Sequence, residues 1–385
     1  MDRFGFLNIT ASIAFFISLL LSFFLLTVKT KNKLANRLFA SYLILSAISI
    51  SGFFIYSYII KNFPNLEFFR WTSSLFIIPV FYLYVLAVSY SDFRLKPKHL
   101  LHAIPFVLLN LVLAPKLFLA NSTEKTYFFE HIRQMPELYY THILFALQFV
   151  FYIIGIFLIL RKYRKIYLEN YANPDTSTYN WLFQMTLYFL IFYCFVIFKN
   201  LLIYTHFNDL FTWANVILGI IFLFIMCWFV LKALNHPELF RGIDSKLQLT
   251  KDIIYKPETD TIMDESGNDQ DNIITTQIAL LKKHMTDHEP YLEPSLTIQE
   301  IANQINIPVR DLSVLINHHM NQHFFDFVNE YRIQKAMKIL KNTSKNHLTI
   351  LEILYEVGFN SKSSFNTSFK KYTKLTPTDY RKNSL

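Results

Sequence analysis

Seven apolar runs follow one another along the first 234 residues, at 6–28, 38–60, 71–90, 100–118, 138–160, 181–204 and 211–234. Each is about the length that crosses ~30 Å of hydrocarbon. A soluble core helix rarely stays apolar on every side for so long, so these runs predict transmembrane helices. Pro105, Asn110, Pro115 and Lys116 interrupt the fourth, and Pro79 predicts a kink in the third. Beyond residue 234 the pattern changes. Residues 235–274 hold nine acidic and four basic side chains and read as a flexible tether, spanning roughly 35 Å as a coil.

From Thr275 onward the apolar positions recur at helical spacing with soluble character. Ile278, Leu280, Leu281 and Met285 outline one helix. Thr297 with Glu300 three residues on forms a capping box, and Pro308 restarts the chain into a helix over 309–319 with Leu312, Leu315 and Ile316 inward. A long helix over 324–340 carries the stripe Phe325, Val328, Ile333, Ala336, Met337 and Leu340. The pattern then repeats. Thr349 and Glu352 cap, Gly358-Phe359 turns, and 361–372 buries Phe365 and Phe369. The predicted fold class is all-α, a seven-transmembrane-helix bundle plus a carboxyl-terminal tandem helix-turn-helix domain.

Charge orients the bundle. Loops on one side carry eleven basic residues (Lys29, Lys31, Lys33, Arg37; Arg94, Lys96, Lys98; Arg161, Lys162, Arg164, Lys165), and the other side carries six. Basic loops mark the cytoplasm, so the amino terminus lies outside and the carboxyl terminus inside. Asp2 and Arg3 leave the first flank neutral and lysines follow the run, which favours a retained helix over a cleaved signal. The expected domains are 1–234 in the membrane, a cytoplasmic acidic linker at 235–274, and a cytoplasmic domain at 275–385. The expected location is the inner membrane. The formal charge of +9, with only 17% charged residues against ~25% in soluble domains, points to anionic partners: nucleic acid and lipid.

Few residues carry other chemistry. No Asp or Glu falls inside the seven runs, which counts against ion-coupled transport. Lys199 is the charged residue well inside a run, and snorkelling is favoured for it over a ligand or counter-ion role; Lys232 sits at the inner end of the last helix. The 23 Tyr and 40 Phe suit interfacial belts and helix packing, or a ligand pocket that the sequence does not locate. Cys194 and Cys227 read as small apolar residues in packed helices. There is no HExxH, no carboxylate pair, no Ser/His/Asp grouping and no phosphate loop. No catalytic, metal or cofactor site is expected, and no enzyme.

The last 110 residues resemble the DNA-binding domain of AraC-family transcription regulators. The resemblance rests on Leu296-Thr297 with Ile301-Ala302, Leu312-Ser313, Phe324-Phe325 with Asn329, Tyr331-Arg332-Ile333 and Ala336, and above all on Ile353 to Val357, Gly358-Phe359-Asn360-Ser361-Lys362-Ser363-Ser364-Phe365, Phe369-Lys370-Lys371, Thr376-Pro377 and Tyr380-Arg381. Lys374 departs from it, standing where the family usually has glycine. The membrane half resembles, less specifically, seven-helix regions fused to such domains in some bacterial regulators. The resemblance implies two helices in successive major grooves about 34 Å apart. It implies base readout by Arg310, Ser313 and Asn317 in the first unit and by Ser361, Lys362, Ser363, Ser364 and Asn366 in the second. Backbone contacts would come from Arg332, Lys370, Lys371, Lys374 and Arg381, against the alternatives that a surface lysine is merely solvated and that Arg332 pairs within the domain. From Lys341 to the end the net charge is +5, suited to a phosphate grip. The expected partners are double-stranded DNA, the bilayer, a second copy of the chain, and a signal from outside or within the membrane. A transporter-like bundle or a plain anchor carrying the same domain are the competing readings.

Overall fold

Where water is scarce, every backbone N–H and C=O must be satisfied within the chain, and a long apolar run answers with a helix. In the computed structural model, which describes residues 3–28, 32–90, 92–172, 176–235 and 267–384, the chain is all-α. Lys29, Lys31 and the tether from 236 to 266 lie outside the described residues, as does the side chain of Lys232. Seven helical stretches are long and apolar enough to cross a membrane: Gly5–Thr27, Lys33–Asn62, Pro64–Ser89, Pro97–Ala114, Pro136–Asn170, Tyr179–Leu202 and Asp209–Phe229. The corresponding elements are α1 (Arg3–Thr27), α2 (Lys33–Asn62), α3 and α4 (Pro64–Ser73 and Ile77–Ser89), α5 (Ile104–Ala114), α7 (Pro136–Asn170), α8 (Thr176–Leu202) and α9 (Asn208–Asn235). Between α5 and α7 lies the short α6 (Ser122–Glu130).

The third span is interrupted by a 3-10 turn at Ser74–Phe76, in the turn that precedes Pro79. Pro79 has no N–H to give to the carbonyl of Leu75 four residues back. Gln148 of α7 supplies the missing donor, with Nε2 3.0 Å from the Leu75 oxygen. The fourth span is irregular as well, a 3-10 segment at Pro97–Ala103, then α5, then a π turn at Pro115–Leu119. Small residues let α1 and α2 approach closely: Ala14, Ser18 and Ser22 are buried, and the Ser22 hydroxyl donates to Ala40 O at 3.3 Å. Aromatic rings fill the interior, with Phe81 and Phe189 stacked at 4.2 Å and Phe39 and Phe229 at 4.3 Å. The outer surface is apolar too: Phe23, Phe151 and Phe224 are 68%, 71% and 70% exposed.

Two expectations change. The third span begins at Pro64 and so includes Glu67, which is fully buried; the span is not free of carboxylates, and the argument against transport built on their absence falls away. Glu67 is held by a bidentate pair with Arg70, and the Arg70 guanidinium also donates to Ser49 O at 2.7 Å. It lies so close to Gly52 that a Cβ there would meet Arg70 Cζ at 2.5 Å. Cys194 and Cys227 are exposed free thiols on α8 and α9, on the outer face of their helices and not in the packed core.

The chain divides into two compact units, Met1–Arg161 with Ser177–Ser245, and Lys162–Thr176 with Lys246–Leu385. In the second, α10 (Gly267–Asp287) begins inside the stretch that composition gave to the tether. It is followed by α11 (Ile298–Ile305), α12 (Val309–Val314), α13 (Phe324–Lys341), α14 (Ile350–Glu356), α15 (Lys362–Thr373) and α16 (Pro377–Ser384). The helix α13 serves two cores. Phe324, Phe327 and Val328 join Leu281, Ile301, Leu312 and Ile316 in the first, and Ile333, Ala336 and Ile339 join Ile353, Phe359, Phe365 and Phe369 in the second. Residues 171 and 172 also meet the first core: Ala172 is fully buried, its N–H donating to Leu296 O at 3.1 Å, and Tyr171 bridges to Thr297.

The proline compensation is testable. Gln148→Leu orphans the Leu75 carbonyl and is expected to cost about 1–3 kcal/mol. In a Pro79→Ala background, where the backbone regains its donor, the same change costs much less. Thermal unfolding of the four variants in detergent measures the difference.

Candidate DNA-binding surface

Each helix-turn-helix unit is assembled by the same local rules. Thr297 caps α11: its N–H donates to Glu300 Oε2 at 2.7 Å, and its hydroxyl accepts from Glu300 N at 3.3 Å. The turn passes through Asn306 in the left-handed region, φ 56°, and Pro308 starts α12. From Leu315 to His319 the helix continues as a π turn. In the second unit Thr349 and Glu352 repeat the box at 2.7 and 3.1 Å, and Ser361 caps α15 by accepting from Ser364 N at 3.1 Å. Lys374, the departure from the usual glycine, closes α15 at φ 64°; the side chain pays for a left-handed backbone, and its Nζ donates to Lys371 O at 3.2 Å.

The junction of the two units is polar and buried. Arg332 is fully buried, its Nε donating to Tyr291 O at 2.6 Å and its Nη2 to Glu293 O at 2.8 Å. Nη1 reaches Ala172 O and Asn329 Oδ1, both at 3.3 Å, and the guanidinium lies 5.5 Å from the centre of the Phe359 ring. Burial lowers its pKa to about 9, still above neutral, so it stays charged at pH 7. Gly358 turns here at φ 89°, and a Cβ on it would meet Tyr291 O at 2.6 Å. Lys335 pairs with Glu289 at 2.5 Å, and Lys371 of α15 pairs with Asp326 at the start of α13 at 2.5 Å.

Against this geometry the expected contact residues separate. Arg332 cannot touch phosphate: its donors face carbonyls inside the domain, which corrects the backbone role. Ser313 is buried and Asn317 is turned toward it, Nδ2 donating to Ser313 O at 2.9 Å with Oδ1 enclosed. Neither is presented for base readout, because positions 313 and 317 share the inner side of the helix with 312 and 316. Arg310 is exposed, and stepping by four along the same face reaches half-buried Val314 and exposed His318. His318 and His319 went unnoticed in the sequence, although that spacing places His318. In the second unit Ser361, Lys362 and Ser363 are exposed, Ser364 and Asn366 are half-buried, and Thr367, also overlooked, is exposed beside them. Lys370, Lys371 and Lys374 are exposed. Arg381 is half-buried with Nε and Nη2 enclosed, which leaves Lys382 as the exposed cation of α16.

A family model described as "Helix-turn-helix domain" matches residues 301–383. The carboxyl-terminal domain is an AraC-type helix-turn-helix domain. The chain is similar to an uncharacterized response regulatory protein of Staphylococcus epidermidis, 26% identical over 40% of this chain and 60% of that one. It is also similar to the uncharacterized HTH-type transcriptional regulator YdeC of Bacillus subtilis, at 30% over 25% of this chain and 31% of the relative. The HTH-type transcriptional activator RhaS of Mannheimia succiniciproducens is 31% identical over 24% and 34%. The chain therefore spans 60% of the first relative and about a third of the other two. Among solved structures, the C-terminal domain of AraT, a response regulator from Geobacillus stearothermophilus, is similar at 26% identity, covering 27% of this chain and 84% of that one with a TM-score of 0.24.

Two outcomes follow for the AraC-type domain. Arg332→Ala leaves several buried carbonyls without donors and is expected to cost about 3 kcal/mol or more in denaturant unfolding. The salt dependence of any remaining DNA binding stays unchanged, because no phosphate contact is lost. The Glu289 carboxyl is held below its ordinary value, chiefly by the hydrogen bond from Lys335. A depressed carboxyl stabilises fully above the unfolded pKa and loses that contribution as pH falls through the folded value. Glu289→Gln is therefore expected to weaken the domain at pH 7 and to flatten its acid sensitivity below about pH 4.5.

Proposed function

We propose that this chain is a membrane-embedded, sequence-specific transcription regulator whose carboxyl-terminal domain binds double-stranded DNA. The observation that carries this reading is the pair of helix-turn-helix cores strung on α13, each presenting a helix with exposed polar and basic residues. The proposed organisation is a membrane domain at 1–234 with its amino terminus outside, a cytoplasmic linker at 235–274 and the DNA-binding domain at 275–385, in the inner membrane. Supporting it are the seven apolar spans and the phenylalanines on their outer surface, which water would not tolerate in such number but lipid would. Base readout falls to Arg310 and to Ser361, Lys362, Ser363, Ser364 and Asn366. Lys370, Lys371, Lys374 and Lys382 grip phosphate. A second copy of the chain extends the DNA site.

The regulator responds to a signal received by the membrane domain. A route for it is supported by α7, one helix from Pro136 to Asn170, whose following residues 171 and 172 belong to the first helix-turn-helix core. A displacement of that helix end would act on the Ala172 N–H bond to Leu296 O and on the Arg332 carbonyl partner at Ala172. This favours a sensor over a plain anchor.

The test uses the full chain in detergent against genomic fragments over a salt series. Arg310→Ala is expected to cost about 1–3 kcal/mol at one position of the preferred site and to relax choice there; Lys370→Ala weakens all fragments alike and lowers the salt slope by about one. Retention of every fragment equally by the unaltered chain, at all salt concentrations, would refute sequence-specific binding.

A further inference from the structure

The sequence left Lys199 between a snorkelling side chain and a ligand-binding one, and could not locate a pocket. The membrane unit contains a cavity of about 170 Å³ lined by residues of α1, α2, α7, α8 and α9 together with Ser74 and Ile77, and Lys199 is its only charged lining residue. Ala11, Ala14 and Gly219 are small residues of its lining. Three of its polar side chains are engaged within their own helices, Ser46 donating to Tyr42 O at 2.8 Å, Ser74 to Trp71 O at 2.6 Å, and Asn215 Nδ2 to Phe211 O at 2.9 Å, and the hydroxyls of Ser49 and Tyr193 also belong to the lining. Lys199 differs. Among the described residues it has neither an ion pair nor a hydrogen bond, and its ammonium rests 5.7 Å from the centre of the Phe211 ring. Arg133 lies over the same ring at 5.1 Å, so two cations converge on one phenyl group.

A cation held in a low-dielectric bundle without a counter-charge is costly, and such residues normally face a partner, a cavity or a ligand. Here the cavity is the partner at hand. A void of about 150 Å³ in an apolar interior admits benzene, so this one has room for roughly one ring or a chain of six to eight carbons. Apart from the Ser46, Ser49, Ser74, Tyr193 and Asn215 side chains the lining is aliphatic and aromatic, which favours a largely apolar body. We propose that this cavity is a ligand site for a small apolar monocarboxylate, its carboxylate paired with the Lys199 ammonium and its hydrocarbon body among α1, α2 and α9. The pairing is a charge-assisted hydrogen bond, strengthened by the surrounding apolar groups. An alcohol of equal length would fill the same volume and leave the cation unpaired. This assignment deepens the sensor reading, naming the class of signal, and rests on that reading only for its consequence.

The experiment is equilibrium dialysis of the full chain in zwitterionic-lipid nanodiscs against labelled octanoate, with octanol and acetate as comparisons, and DNA binding measured in parallel. The expected result is saturable octanoate binding near one per chain, with octanol and acetate each weaker by about tenfold or more. Lys199→Met is expected to lower octanoate affinity by a similar factor and bring acid and alcohol level, and Lys199→Arg to recover most of the loss. Equal binding of acid and alcohol by the unaltered chain overturns the proposal, whether or not the variants fold. So does acetate binding as well as octanoate, which would mark a bare cation site, or Lys199→Met binding octanoate unchanged. Failure of these with DNA binding retained removes the ligand site alone, whereas loss of selective DNA binding removes the regulator reading itself.

Discussion

The buried guanidinium of Arg332 holds together a domain that would otherwise be two small cores on a shared rod. Each core is modest, and α13 could in principle carry them at many relative angles. Arg332 takes three backbone carbonyls from segments remote in sequence, at Tyr291, Glu293 and Ala172, and lays its face toward Phe359 of the second core. The missing Cβ of Gly358 lets the second turn press against the Tyr291 carbonyl from the other side. Burying a charge is seldom the route to greatest stability. What it provides here is a fixed junction, since each of the three nitrogens of the planar group finds an acceptor within the domain. A domain proposed to place two helices in grooves about 34 Å apart would depend on such a junction more than on a deeper core.

The unit of seven apolar helices, proposed to lie in lipid, follows the same accounting of polar groups. Pro79 removes a donor and Gln148 returns one; Glu67 is buried and Arg70 neutralises it across two hydrogen bonds. Lys199 is where the pattern is left open, beside a cavity. The apolar cavity beside that cation is the space for which a carboxylate ligand is proposed.

The architecture was largely legible in the sequence because its signals are local. Twenty apolar residues in a row have few alternatives to a spanning helix, and Thr297-Glu300 and Thr349-Glu352 announced two helix starts that both formed their reciprocal bonds. Pro79 likewise announced the break that appears as a 3-10 turn. What escaped depends on the third dimension. Tyr331-Arg332-Ile333 reads as a cation between two apolar residues, and only the approach of the 291–293 and 172 carbonyls turns that cation inward. Ser313 and Asn317 are polar types on the inner side of a short helix, so their chemistry suggested readout while their spacing denied it. Glu67 lay just before the apolar run, and the cavity beside Lys199 is lined by residues of helices far apart in the chain.

The measurement that bears most directly on the whole account is crosslinking of the full chain to DNA in intact cells, followed by recovery from washed membranes and sequencing of the attached fragments. The account predicts that the chain stays with the membranes and brings with it a small set of discrete genomic segments, well above background. An even representation of the genome, or recovery of the chain from the soluble fraction alone, would contradict it.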